Sequence, residues 1–221
     1  MTLVKVCGIT RAGDARLAAD LGAWALGFVF TESPRRVSPA RAAELIAAVR
    51  DAGPSRTPHS VAVVTTEPPA WIAEALDVSG ADVVQLSAGA DGPTVTKLRE
   101  AATDRGLRPL VVAGASTPDA QLADFVLLDA GARGAYGGTG ERLDWALLAA
   151  DPATPAGNLV LAGGLRPGNV AAAIAALRPA VVDVASGVES APGVKDHQRV
   201  RDFFAAVVQA DGGAAVRRTA G

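Results

Sequence analysis

Short runs of β-branched and other apolar residues alternate along the chain with Ala-, Leu- and Arg-rich segments whose apolar positions recur at helical spacing. The alternation repeats about eight times. It predicts strands at 3–7, 25–30, 59–64, 82–86, 108–113, 124–128, 158–162 and 181–185. Between and after them it predicts helices at 13–21, 38–51, 68–77, 92–104, 117–122, 144–149, 168–176 and 196–209, the fifth and sixth abbreviated. The strands are almost continuously apolar, as in Phe28-Val29-Phe30 and Val61-Ala62-Val63-Val64, which fits strands covered on both faces. Strand–helix alternation of this kind implies a parallel sheet with crossover helices. Eight units favour closure into one α/β domain, a (β/α)8 or TIM barrel. Ser38-Pro39 and Thr117-Pro118-Asp119 supply helix-start signals. The barrel is expected over 1–210, with 211–221 as a disordered C-terminal tail.

Bulk properties narrow the function classes. Of the 221 residues 49% are hydrophobic and 20% charged, so the chain folds rather than stays disordered. The formal net charge of -2 offers no basic surface for nucleic acid, which leaves a small molecule as the expected partner. No apolar run is long enough for a membrane span. The N-terminus reads as a strand rather than a signal peptide. A single cysteine, Cys7, cannot form an intramolecular disulfide, and the expected location is cytoplasmic. Of the 21 Lys and Arg residues only Lys5, Lys97 and Lys195 are lysines, which reads as a compositional preference.

Two strand–glycine–helix units near the C-terminus have the form of anion cradles. Leu159-Val160-Leu161-Ala162 runs into Gly163-Gly164-Leu165 and Pro167-Gly168-Asn169, and Val181-Val182-Asp183-Val184-Ala185 runs into Ser186-Gly187. Backbone amides at such turns hold phosphate, and a barrel places its phosphate after strands seven and eight; the same glycines also serve a plain turn. Strand one ends at Cys7, either a small buried filler or a thiolate base that needs a nearby positive charge. Strand six ends at Asp129, either a loop cap or a general acid. Asp183 points by alternation into the barrel mouth, as a structural carboxylate or a ligand contact. On the loop after strand two stand Arg35 and Arg36, of which one suits an acidic substrate and the other solvent. The glycine-rich stretch 131–140 after strand six reads as a lid on the same face.

Together these segments resemble the phosphoribosylanthranilate isomerase family, barrel enzymes of tryptophan biosynthesis. The resemblance rests on Lys5-Val6-Cys7-Gly8-Ile9-Thr10, Gly27-Phe28-Val29-Phe30 with Ser33-Pro34-Arg35, Val84-Gln85-Leu86, Leu127-Leu128-Asp129, Gly137-Gly138-Thr139-Gly140 with Asp144-Trp145, Leu161-Ala162-Gly163-Gly164-Leu165, Asn169-Val170 and the stretch from Asp183 to Asp196. It implies an Amadori rearrangement of N-(5-phosphoribosyl)anthranilate to the 1-deoxyribulose phosphate, with neither metal nor organic cofactor. By the same resemblance Asp129 is the general acid, Cys7 the base and Arg35 the binder of the anthranilate carboxylate. Asp183 holds sugar hydroxyls, and Gly163, Gly164, Ser186 and Gly187 hold the phosphate beneath a loop that includes Gly138. The chain departs from the family at Ser87, where an imidazole is usual and a hydroxyl would meet the substrate instead. It departs also at Thr66 for Asn, at Arg36 for an aromatic, and in lacking a lysine near the end of strand five. These departures keep two other readings in view, an isomerase of a related aminoaldose phosphate and a phosphate-binding barrel without catalysis. The presence of both Cys7 and Asp129 weighs against the second.

Overall fold

A computed structural model of the chain describes residues 1–54, 57–88, 91–107, 109–114, 122–129, 149 and 157–218, with side chains as far as residue 212. Eight parallel strands, β1 Leu3–Cys7, β2 Ala25–Val29, β3 His59–Val64, β4 Val83–Leu86, β5 Leu110–Gly114, β6 Phe125–Asp129, β7 Leu159–Ala162 and β8 Val181–Val184, pair in chain order. β8 returns to pair with β1 and closes the barrel. The helices are α1 Ala12–Asp20, α2 Pro39–Asp51, α3 Pro69–Ser79, α4 Gly92–Thr103, α5 Val170–Leu177 and α6 His197–Arg218. The helices expected at 117–122 and 144–149, and the stretch 131–140, lie almost wholly outside the described residues.

Strand alternation sorts the side chains into two cores. One face of each strand, with residues such as Val6, Leu26, Phe28, Ala62, Val84 and Leu161, packs under the helices. The other fills the barrel with Ala25, Val61, Val63, Val83, Val112, Leu127, Val160 and Val181. At the N-terminal end of the strands the Trp24 ring stands 5.3 Å from both His59 and Phe125, closing the floor with aromatic surface. At the other end the inner residues turn polar: Lys5 and Cys7 on β1, Gln85 on β4, Asp129 on β6 and Asp183 on β8. The barrel therefore separates an apolar lower half from a chemically equipped mouth.

Local signals account for the helix ends. Ser38 accepts a hydrogen bond from the Arg41 N–H at the start of α2, and Asp91 accepts one from Thr94 at the start of α4, each with proline in the first turn. After β8 the chain makes a short 3-10 turn, Ser186–Val188, and then a two-stranded antiparallel ribbon, β9 Glu189–Ala191 with β10 Val194–Lys195. The hydroxyl of Thr10 donates to the Gly193 carbonyl at 2.5 Å, fastening this ribbon to the loop after β1.

The C-terminal helix differs from expectation. α6 does not end near residue 209 but continues through the expected boundary at Asp211 to Arg218. The Asp211 carboxylate accepts from both the N–H (2.6 Å) and the hydroxyl (2.9 Å) of Thr2. A partner 209 positions away has no signature in the local pattern, whereas the helix-weakening Gly212-Gly213 pair does.

Gly187 is a packing requirement of this architecture. A Cβ there would stand 1.8 Å from the Leu165 carbonyl oxygen, which is backbone and cannot swing aside, while a Cβ at Gly168 meets nothing within 4 Å. Gly187→Ala is expected to destabilise the protein by about 3 kcal/mol, lowering the melting temperature by about 6–12 °C in a circular dichroism melt. Gly168→Ala serves as the control, within about 0.5 kcal/mol of the parent.

Candidate active site

The site begins at the C-terminal end of β1. Lys5 and Cys7 are two residues apart on one strand and so share the inner face; Lys5 also stands directly across from Asp183 in the β1–β8 register. Its ammonium donates to Asp183 Oδ2 at 2.6 Å, and both side chains are buried, 2% and 7% exposed. Burial works against the charge on Lys5. Asp183 first, and then the Cys7 sulfur, outweigh it and raise the lysine above its ordinary pKa. Burial pushes the Cys7 thiol up and Lys5 opposes that push more than any other neighbour, with a smaller contribution from Lys195. The cation that a reactive thiol requires is therefore built into the same strand. Gly27, opposite Cys7 on β2, gives the sulfur room: a Cβ there would come within 2.8 Å of Sγ.

A second cluster lies against the first. The Lys195 ammonium, delivered by β10, donates to the Cys7 carbonyl at 2.6 Å, to the Ala185 carbonyl at 3.2 Å and to Glu189 Oε1 at 2.8 Å. Glu189 in turn accepts a forked pair from Arg35, Nε to Oε1 at 2.9 Å and Nη2 to Oε2 at 2.7 Å. Burial disfavours the Glu189 anion, but Arg35 and Lys195 more than compensate and hold its pKa below the ordinary carboxylate value. The bonds to Glu189 likewise raise Arg35. Arg35 reaches this position because Gly8, at φ +74°, has no side chain where the Arg35 Cδ lies; a Cβ would be 2.5 Å from it. Arg36 turns outward, 57% exposed, with Glu32 3.6 Å away. Of the two adjacent arginines, the structure brings the first to the site and leaves the second in solvent.

The remaining predicted residues surround the same mouth. Asp129 ends β6, in register with Ala162 of β7, and is exposed. Ser87 lies exposed just beyond β4, where its oxygen accepts from Gln85 Nε2 at 3.1 Å. Gly163 and Gly164 follow β7 with φ of 89° and 66°, a conformation reserved for glycine. Asn169 braces that turn, its Nδ2 donating to the Gly164 carbonyl at 3.0 Å while its Oδ1 accepts from the Arg166 N–H. The Gly187 contact with the Leu165 carbonyl brings the two glycine turns against each other, as one continuous rim requires. Gly138 lies outside the described residues. Among the described residues no three His, Cys, Asp or Glu side chains converge as a metal would need.

Lys5, Gln85, Glu189 and Lys195 are site residues to which sequence reasoning gave no role. Two signals could have found the lysines. Lys5 is at even spacing from Cys7 on a strand, and a chain that uses arginine almost everywhere keeps two of its three lysines buried beside one thiol. Gln85 Oε1 and Asp183 Oδ1 are buried without a hydrogen-bond partner among the described residues, which marks the inner layer below Cys7 as a place for donor groups of a ligand.

Comparison with known proteins gives this mouth a context. Residues 4–206 match the family described as N-(5'phosphoribosyl)anthranilate (PRA) isomerase. A curated N-(5'-phosphoribosyl)anthranilate isomerase from Geobacter sp. (strain M21) is 42% identical over 214 residues, covering 93% of this chain and 97% of that one. The crystal structure of phosphoribosyl anthranilate isomerase from Thermotoga maritima superposes with a TM-score of 0.73 at 33% identity, covering 96% of this chain and 100% of that one. A further isomerase structure, solved in complex with reduced 1-(o-carboxyphenylamino)-1-deoxyribulose 5-phosphate, gives 0.67 at 31% identity over 92% of this chain and 97% of that one.

The charges around Cys7 make opposite demands on its thiol, which a pair of variants separates. Lys5→Met removes the main opponent of burial and is expected to raise the thiol pKa, slowing iodoacetamide alkylation at pH 8 by about tenfold or more. Asp183→Asn removes a repelling anion and is expected to lower the pKa and speed alkylation. Shifts of the same sign in both variants would mean that packing, not charge, governs the sulfur.

Proposed function

The chain belongs to the N-(5'-phosphoribosyl)anthranilate isomerase family and performs that isomerisation in tryptophan biosynthesis, and from this premise we propose how its own residues divide the reaction. The substrate joins anthranilate nitrogen to C1 of a closed phosphoribosyl ring, and the product is the open 1-deoxyribulose phosphate. Asp129 gives a proton to the ring oxygen, so that the ring opens and C1 becomes a Schiff base. Cys7, as thiolate, takes the proton from C2, and the electron pair left behind forms an enolamine. A proton gained at C1 and one lost from the C2 hydroxyl then give the ketone, so protons balance over the cycle.

The observation that carries this assignment is the placement of one buried thiol beside a buried ammonium, with a carboxyl group at the rim of the same barrel mouth. One group must begin ionised and the other protonated, and burial, which raises the Cys7 thiol, is the cost that Lys5 partly offsets. Lys5 favours the thiolate at Cys7.

Binding is divided in the same way. Arg35 receives the anthranilate carboxylate on the side of its guanidinium that Glu189 does not occupy. Asp183 Oδ1, which has no partner among the described residues, accepts from a sugar hydroxyl, and Ser87 presents its own hydroxyl where the family usually has an imidazole. Amides of Gly163, Gly164, Ser186 and Gly187 take the phosphate, a role open to backbone because it needs donors and no formal charge. No helix among the described residues is long and apolar enough to cross a membrane. A phosphorylated sugar as substrate favours the cytoplasm as the place of reaction.

Turnover of freshly generated phosphoribosylanthranilate, followed through loss of its anthranilate fluorescence, tests the two proton-transfer roles. Cys7→Ala and Asp129→Asn are each expected to lower kcat by about 10²–10⁴-fold with a much smaller change in KM. Near-normal kcat in either variant would remove that residue from the mechanism.

A further inference from the structure

Resting on the reading of Arg35 as the carboxylate binder, we infer that Glu189 is the positioning residue that makes this subsite selective for an anionic aryl group, and that Lys195 anchors it. Three observations lead there. Glu189 is 4% exposed and takes the Nε hydrogen and one Nη2 hydrogen of Arg35 along one edge of the guanidinium, so the plane of the group is fixed and its Nη1–Nη2 edge is left for a ligand. The other side of Glu189 is bound by Lys195, whose ammonium is 1% exposed and also holds the carbonyl of Cys7. The carboxylate that aims Arg35 is thus tied to the strand end that carries the thiol.

Charge supplies the third. Arg35 and Lys195 bring two positive charges and Glu189 one negative, so the cluster is one anion short. A neutral aniline ring would leave the exposed side of Arg35 facing apolar surface, whereas an aryl carboxylate completes the balance and makes charge-assisted hydrogen bonds. Without Glu189 the Arg35 charge would remain, but nothing would orient it, and the Lys195 ammonium would compete for the incoming carboxylate from the wrong side. Selectivity in this subsite follows from where the arginine points rather than from its charge alone.

The test compares two substrates made by condensing ribose 5-phosphate with anthranilate or with aniline, in the parent and in Arg35→Ala, Glu189→Gln and Arg35→Lys. The readout is the ratio of kcat/KM between the carboxylated and the uncarboxylated substrate. Glu189→Gln keeps the size of the side chain and removes its charge. It is expected to lower that ratio by about 10- to 100-fold, through KM of the carboxylated substrate, with a smaller loss on the aniline substrate. A purely structural loss would depress both substrates together, and that result, or an unchanged ratio, would overturn the inference. Arg35→Ala distinguishes the underlying reading. If it leaves the ratio unchanged, Arg35 does not bind the carboxylate at all; if it collapses the ratio while Glu189→Gln does not, only the role of Glu189 fails. Should Glu189→Gln not fold, Arg35→Lys decides, because one ammonium cannot hold Glu189 in a fork and meet the substrate in a fixed plane. A ratio retained in Arg35→Lys would overturn the inference, and a collapsed one supports it.

Discussion

Burying positive charge beneath the barrel mouth is the constraint from which the rest of the site follows. An ammonium taken out of water must find anions or carbonyls, and two lysines are so placed, 2% and 4% exposed. Lys5 fixes the position of Asp183 across the β1–β8 seam. Lys195 fixes Glu189, the end of β1 through the Cys7 carbonyl, and the approach to the Ser186–Val188 turn through the Ala185 carbonyl. Glu189 then orients Arg35. The thiol, the Arg35 guanidinium and the Ser186–Val188 turn are thereby set relative to one another by one bonded network rather than by three independent loops.

These ion pairs are weak arguments for stability, since apolar replacements of similar volume often do as well in a buried position. Stability comes from elsewhere in the barrel. Its lower half is filled by valine, alanine and leucine with aromatic rings at the floor, and its outer face is sealed by helices. A polar upper half on an apolar lower half lets the chain hold acceptors such as Asp183 Oδ1, which has no partner among the described residues, in place without the strands yielding to satisfy them.

Strand alternation and turn glycines are local, and so the barrel was legible in the sequence. Each of the eight barrel strands begins and ends within two residues of its expected span, Asp183 falls on the inner face that alternation implies, and Cys7 and Asp129 stand at the strand ends. The missed residues share a different property. Lys5 meets Asp183 at a separation of 178 positions, Lys195 meets the Cys7 carbonyl at 188 and Arg35 meets Glu189 at 154, so no local pattern could connect them. Arg35 and Arg36 were equivalent on their loop until Gly8, far back in the chain, opened space for one of them. The scarcity of lysine looks compositional along the chain, but its concentration beside the thiol shows that a rare residue type can mark a site when its few positions converge.

The two cation clusters also resolve a conflict between catalysis and binding. A thiolate is stabilised by positive charge and destabilised by an approaching anion, and this substrate brings two anionic groups. If one cation served both thiolate and carboxylate, binding would push the thiol back towards its protonated form at the moment the base is needed. In the proposed division Lys5 offsets the burial of the sulfur, Arg35, oriented by Glu189 and Lys195, meets the carboxylate, and backbone amides take the phosphate. Lys195 bonds to the carbonyl of Cys7, not to its sulfur, and its charge lowers the thiol pKa less than the charge of Lys5 does. Burial still leaves the Cys7 thiol above its ordinary pKa, so the cations around it offset part of the cost of ionising the proposed base while the geometry links that base to the Arg35 cluster.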